Sequence, residues 1–191
     1  TEEVPSSVAS FVAERLGQMP EGTLVMLDTA SCIGSTFDLD TLSRVHEVPM
    51  AAVAADLSPA IIAAIIEPIG SAHYAVEALE GASDAATDIA LYRFRHDQIR
   101  LTVHDRLDDL HRAERHLQIS RLLRKSLSDA ELQARAVEVF RHVVWAADLI
   151  DQPDERLALA QLGLSAGRQA QAGLAFPTAQ AHLRLADRFL P

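Results

Sequence analysis

The chain is 191 residues long, enough to bury one core or two small ones, and its one cysteine, Cys32, excludes an internal disulfide or a cysteine-based zinc site. Apolar residues make up 49% of it but aromatic residues only 5%, which favours helices packed on helices over an all-β fold. A formal charge of −10 argues against a nucleic-acid surface over the whole molecule.

The N-terminal residues are acidic and lack the charged and apolar regions of a signal peptide. The apolar run at residues 60–66 is too short to span a membrane, and Glu67-Pro68 follows it. We therefore expect a soluble, cytoplasmic protein without membrane contact. The absence of an initiator Met leads us to expect a piece of a longer protein.

Apolar residues at helical spacing predict four helices in the first third of the chain. The first opens at residues 5–7 and ends at residues 17–20, and the second runs from there to Gly34. The third follows a short connector at residues 37–40, where Asp38 and Asp40 suit N-terminal capping. In the fourth, Pro59 either lies inside the helix or restarts it behind Ser58.

Two short strands are predicted next, at residues 65–69 and 90–95. In the second, Tyr92 and Phe94 alternate with Arg93 and Arg95, as in a half-buried strand. The residues between the strands, 71–90, predict a variable loop with a partial helix at 75–79. Several helices, a small two-stranded wing and a further helix form a winged-helix-like domain over residues 1–110.

The second strand turns into a helix at His96-Asp97, because Ile99, Val103 and Leu107 recur at helical spacing. Asp97 is predicted to cap this helix, since a carboxylate there accepts its first N–H groups and suits the positive end of its dipole. His96 would stand at the strand-to-helix corner, where its imidazole can face outward.

Residues 111–191 predict a wholly helical region. Ser128 and Glu131 have the spacing of a capping box, and residues 151–155 contain a clear break. Two helices rich in Ala and Gly follow, near 155–175 and 177–190. Antiparallel helix pairs joined by short turns are typical of the start of an α-solenoid of tetratricopeptide type. The fold class is therefore mainly α, a winged-helix-like domain followed by antiparallel helical hairpins.

Residues 93–125, which we call the basic band, hold nine Arg or Lys against five acidic residues. Such a band could face phosphates or an acidic partner domain. It could equally be a solvated helix face with internal ion pairs.

No motif for catalysis or metal binding is present. The eight histidines form neither H-x-x-x-H nor H-E-x-x-H, and His111 and His116 fall on different helix faces. There is no phosphate-binding loop of the G-x-x-x-x-G-K-[ST] or G-x-G-x-x-G type and no G-x-S-x-G nucleophile elbow. We expect neither an enzyme nor a metal site nor a cofactor held by this chain alone.

Several segments resemble one family, in order along the chain. Residues 29–42, TASCIGSTFDLDTL, resemble the AACIGxxFDLxTL segment that follows the ATPase domain in large bacterial multidomain sensor kinases, which are serine/threonine or hybrid histidine kinases carrying an AAA/STAND-type ATPase. Residues 94–99, FRHDQI, are similar to the family's F-L-H-D-x-V stretch, with Arg95 in place of an apolar residue. Residues 116–123 and 166–170 resemble its H-L-x-I-G-R-L-L and A-G-R-K-A segments.

The resemblance implies a non-catalytic regulatory fragment that lies downstream of a P-loop ATPase domain, which would bind most of the ADP or ATP. It implies that His96 contacts the phosphates of bound ADP, that Asp97 fixes the backbone there, and that Arg95 adds phosphate attraction. The helical repeat would bind an activator or a neighbouring domain. Two alternatives stay open: a DNA-binding winged-helix regulator, although nucleic acid is disfavoured by the charge, and a plain helical-repeat interaction scaffold.

Overall fold

A computed structural model of the protein describes residues 12–69 and 91–190. These residues are mainly helical and include a small antiparallel sheet of three strands. The chain divides into two compact units between Asp108 and Asp109. The predicted start of the first helix and the predicted loop at 71–90, with its partial helix, lie outside the described residues, whereas residues 12–17 are helical.

The first unit alternates helices with short strands. Its elements are α1 (Glu21–Ile33), β1 (Thr36–Asp38), α2 (Leu39–His46), α3 (Met50–Ile62), β2 (Ile66–Ile69), β3 (Leu91–Phe94) and α4 (Asp97–Asp105).

The sheet has the strand order β1-β3-β2, and both of its pairings are antiparallel. The predicted pairing of β2 with β3 is confirmed, with Ile66 opposite Phe94. The predicted two-stranded wing is wrong in its strand number, because β1 pairs with the other edge of β3. Three residues are too few to show an alternating pattern, so a connector was the only prediction for residues 37–40.

Aromatic side chains hold the sheet against the helices of the first unit. The ring of Phe37 stacks on that of Tyr92 at 6.0 Å and meets that of Phe94 at 5.6 Å. Leu27, Leu42 and Leu57, one from each of the first three helices, are completely buried in the same core. The strands therefore reach the core through alternate residues, while Arg93 and Arg95 point away from it.

Two helix starts show how local chemistry fixes the first unit. Asp38 caps α2, as predicted, by accepting hydrogen bonds from the Thr41 N–H at 2.6 Å and the Thr41 hydroxyl at 2.8 Å. In α3, Pro59 lies inside a continuous helix that ends three residues later, so the alternative of a restart behind Ser58 is wrong. The helix begins after Pro49, whose carbonyl accepts the N–H groups of Ala52 and Val53. It is therefore already formed when the chain reaches Ser58.

The regular elements among the described residues of the second unit are all helices. Its elements are α5 (Asp109–Ser126), α6 (Asp129–Ala134), α7 (Ala136–Ala146), a 3-10 turn (Ala147–Leu149), α8 (Pro153–Ala172) and α9 (Phe176–Phe189). The capping box of Ser128 and Glu131 is confirmed. The apolar stripe at 132–147 predicts one helix, but the structure breaks it at Arg135, whose backbone (φ −102°, ψ 19°) leaves the helical region.

Glycine allows α8 to approach its neighbours closely. A Cβ atom at Gly163 would lie 2.5 Å from Cζ of Phe140 and 2.8 Å from Cβ of Ala186, and one at Gly167 would lie 2.6 Å from Leu183. Phe140 belongs to α7, whereas Ala186 and Leu183 belong to α9. Small residues on α8 therefore set the distance between the three helices.

Among residues 12–69 and 91–190, no single helix has both the length and the hydropathy needed to cross a membrane. The consecutive helices α2 and α3 meet the criterion only when taken together, and they are bent by 113°.

Candidate functional site

The corner between β3 and α4 is held by backbone hydrogen bonds on both sides. The Phe94 N–H donates to the Ser35 carbonyl at 3.0 Å, and the Arg95 N–H donates to the Ile65 carbonyl at 3.1 Å. The carbonyl of His96 then accepts the N–H groups of Ile99 and Arg100, which begins the helix. The backbone position of residues 95 and 96 is therefore fixed by the residues that precede β1 and β2 and by α4.

His96 is the N-cap residue of α4 and has an extended backbone, with φ −144° and ψ 143°. Its side chain is exposed and makes no capping hydrogen bond. The imidazole thus stands beside the positive end of a helix dipole and is not used to close that end.

The prediction that Asp97 caps the helix is wrong. Asp97 is the first helical residue, and its carboxylate accepts a hydrogen bond from Nε of Arg100 at 2.8 Å. A guanidinium one turn further along pairs with the carboxylate in place of the N–H groups, since here both partners are charged. The acid still lies in the first turn, where its charge suits the dipole.

Arg95 is exposed and shares the carboxylate of Glu67 with Arg93. Glu67 on β2 accepts a hydrogen bond from Nε of Arg93 at 2.7 Å, and its other oxygen lies 3.5 Å from Nε of Arg95. The contact with Arg93 is tight, whereas the contact with Arg95 is long. Arg95 is therefore weakly held, and it can turn toward an anion at the corner at small cost.

Sequence reasoning missed Glu67 as a part of this site. It lies directly opposite Arg93 in the register of β2 and β3. An acidic residue in an otherwise apolar strand, facing a strand with alternating arginines, is a signal for such a cross-strand pair. The pair can be identified only when the register of β2 and β3 is known. That register depends on the length of the connection between the two strands.

The basic band is largely ion-paired. Among the residues that the structure describes, seven of its nine cations lie within salt-bridge distance of a carboxylate in the same unit. These contacts agree with a helix face carrying internal ion pairs. A continuous basic surface for nucleic-acid phosphates would need these cations to leave their partners.

The most buried of these pairs lies in the second unit. Glu155, in the first turn of α8, accepts hydrogen bonds from Arg121 and Arg124 of α5 at 2.7 Å and 2.9 Å. The hydrogen bond from Arg121 is the main cause of a lowered pKa at the Glu155 carboxyl, and burial opposes that shift. This part of the band fixes α5 against α8.

The second unit also contains a histidine pair that no sequence motif indicates. Nδ1 of His116 lies 2.8 Å from Nδ1 of His142, and both side chains are buried. The ring of His116 stacks on that of Trp145 at 5.5 Å, with the Arg112 guanidinium 5.5 Å from the indole. The two histidines are 26 residues apart and lie on α5 and α7. Only the packing of these helices brings them together.

The corner at His96 is suited to bind an anion. Arg95, His96 and the start of α4 follow one another along the chain, and they offer a weakly held guanidinium, an exposed imidazole that does not cap the helix, and a helix N-terminus. No group here has the arrangement of a nucleophile with its base. The comparisons give no precedent, because no family model, curated protein or solved structure matches this chain.

Proposed function

We propose that this chain is a non-catalytic regulatory part of a multidomain signalling ATPase or kinase. Its first unit would sense the nucleotide of a P-loop domain through His96 and Arg95, and its second unit would bind a protein partner. The observation that carries the proposal is the exposed His96 at a helix N-terminus, with its side chain left out of capping. The resemblance of residues 29–42 and 94–99 to the sensor-kinase segments supports it independently.

A winged-helix assignment for the first unit is part of the proposal. The element order α1-β1-α2-α3-β2-β3, with α2 and α3 close together in sequence and the strand order β1-β3-β2, supports it. In this arrangement α3 takes the place of the recognition helix of a DNA-binding relative of the helix-turn-helix class.

The DNA-binding alternative has little support from α3. No Lys or Arg occurs in Met50–Ile62, and its exposed residues include Met50, Ile62 and several alanines. DNA binding needs cations for phosphates and amide or guanidinium groups for base edges. A gel-shift assay at low salt should therefore show no sequence-selective complex.

The helical-repeat assignment of the second unit rests on the antiparallel pairing of α8 and α9. A turn of three residues joins these helices, and their contact runs through Gly163 and Gly167. Close pairs of this kind are the building units of α-solenoids. The plain-scaffold alternative shares this feature and differs only in giving His96 no ligand.

A nucleotide titration of the chain followed by amide NMR tests the proposal. We expect ADP at millimolar concentration to shift the signals of residues 95–98, because an exposed imidazole, a guanidinium and a helix N-terminus suit its phosphates. His96→Ala should weaken the effect by about threefold to tenfold, since a hydrogen bond to a charged group contributes about 1 kcal/mol or more. His111→Ala, which changes an exposed histidine of the other unit, is the matched control.

Shifts that are absent, or equal in the His96→Ala variant, would remove His96 as the phosphate contact. The scaffold alternative would then be the better account. Inorganic pyrophosphate should reproduce the shifts, because the proposed contact is with phosphate and not with the base.

A further inference from the structure

A surface cleft of about 420 Å³ lies in the second unit, between the start of α8 and the end of α9. Its apolar lining comes from Leu157, Phe189 and Leu190. Phe189 is buried, but Leu157 and Leu190 are 49% and 50% exposed. An apolar side chain placed here would cover surface that now faces water, which is favourable in proportion to the area covered.

The arginine in this cleft is already engaged. Arg156 donates a hydrogen bond to the Arg188 carbonyl at 2.6 Å, and its guanidinium carbon lies 5.3 Å from the centre of the Phe189 ring. It therefore forms part of the wall and satisfies a carbonyl of the last turn of α9. The nearby Arg188 side chain is likewise paired, with Asp148.

The rim of the cleft carries negative charge. Asp151 and Asp154 line it, both are exposed, and within the described part of the chain neither forms an ion pair or hydrogen bond through its side chain. The carboxyl end of α9 adds the negative end of a helix dipole. The dipole of α8 offsets part of the charge at Asp154, which lies in its first turn, but Asp151 precedes that helix.

From this geometry we infer that the cleft docks a partner polypeptide segment in which an apolar side chain stands next to an arginine or lysine. The apolar side chain would enter between Leu157 and Leu190, and the cation would meet Asp151 and Asp154 at the rim. An acidic segment would meet like charge and is disfavoured. The inference rests on the proposed partner-binding role of the second unit and is independent of the nucleotide role of His96.

Two capped dipeptides, acetyl-Leu-Arg-amide and acetyl-Leu-Glu-amide, test the inference by amide NMR on the whole chain. We expect the Leu-Arg probe to give saturable shifts at residues 151–157 and 188–190 at concentrations up to about 20 mM, as suits so small a ligand. The Leu-Glu probe should bind at least about fivefold more weakly, since it replaces attraction to two exposed carboxylates by repulsion.

Variants separate the two parts of the recognition. Replacing both rim acids, Asp151→Asn with Asp154→Asn, should bring the two probes to nearly equal affinity. Leu157→Ser should weaken both probes together. Asp129→Asn is the matched control, because it removes an exposed carboxylate from the first turn of another helix of the same unit.

Three results would overturn the inference: no saturable shifts, equal affinity of the two probes for the unchanged protein, or shifts centred elsewhere. Thermal unfolding of each variant verifies that the fold is retained. The signals of residues 95–98 report separately on nucleotide, so failure of the cleft and failure of the His96 proposal are distinguishable.

Discussion

Gly163→Val is expected to lower the free energy of unfolding of the second unit by about 3 kcal/mol. A loss of this size is at the high end of the range for substitutions that over-pack a core. The Cβ atom alone would stand 2.5 Å from Cζ of Phe140 and 2.8 Å from Cβ of Ala186. Both neighbours belong to helices whose own faces are buried, so neither can move away freely. The two extra methyl groups of valine have no space to occupy.

Urea unfolding followed by the fluorescence of Trp145, the one tryptophan of the chain, measures the change. Gly173→Val is the matched control, because a Cβ there meets only the carbonyl oxygens of Gln169 and Ala170 at ordinary distances of 3.6 Å and 3.7 Å. It should cost less than about 1 kcal/mol. Equal stability of the two variants would show that α8 does not approach α7 and α9 closely.

A double-mutant cycle adds a sharper criterion. Phe140→Leu alone should destabilise by about 1 to 2 kcal/mol through the cavity it leaves. Combined with Gly163→Val, it removes the ring atoms that the new side chain would meet, so the double variant should be more stable than the sum of the two changes predicts. Simple additivity would contradict a direct contact.

Acidification is the second change with a large expected effect on the second unit. Burial is the main cause that lowers the pKa of His142 from 6.5 to about 4; the charge of Arg141 acts in the same direction, and Glu138 opposes it. Burial also lowers the pKa of His182. The Nδ1 atoms of His116 and His142 share one hydrogen bond, so a second proton between them would set two N–H groups against each other.

The sign of the effect follows from the lowered pKa. Since the unfolded chain takes up a proton near pH 6.5 and the folded chain resists it down to about pH 4, stability is complete above pH 6.5. It falls between these values by about 1.4 kcal/mol per pH unit, on the order of 3 kcal/mol in total for His142. His182 adds to the loss in the same direction.

Urea unfolding between about pH 7.5 and about pH 4.5 measures this loss. His142→Gln should flatten the profile, because it removes the ring whose pKa folding lowers. Direct NMR titration of the His142 ring gives a second readout that does not need a stable variant. A ring that titrates near 6.5 in the folded protein would contradict the account.

The regular elements were largely predictable because local patterns specify them. The helix at Glu21–Ile33, the strand ending at Phe94 and the capping box at Ser128 each carry several signals that agree. The elements that were missed are short or depend on tertiary contacts. The strand Thr36–Asp38 forms only because β3 lies beside it, and the break at Arg135 interrupts an apolar stripe that looks continuous in sequence.

The candidate site was predictable in position but not in its contacts. The change from alternating to helical spacing placed His96 at the end of a strand, and the structure has it there with an exposed side chain. The contacts of Asp97 could not be predicted, since its carboxylate could accept a hydrogen bond either from the first N–H groups of α4 or from Arg100. Glu67 reaches Arg93 and Arg95 only through strand pairing.

The most direct test of the central claim is a measurement of ADP affinity. It uses a longer polypeptide in which a P-loop ATPase domain precedes this chain. His96→Ala should weaken ADP binding by about tenfold or more, as expected for the loss of a hydrogen bond to a charged phosphate, while urea unfolding of the first unit stays unchanged. An unchanged ADP affinity in a variant that folds normally would contradict the claim that this corner senses the nucleotide.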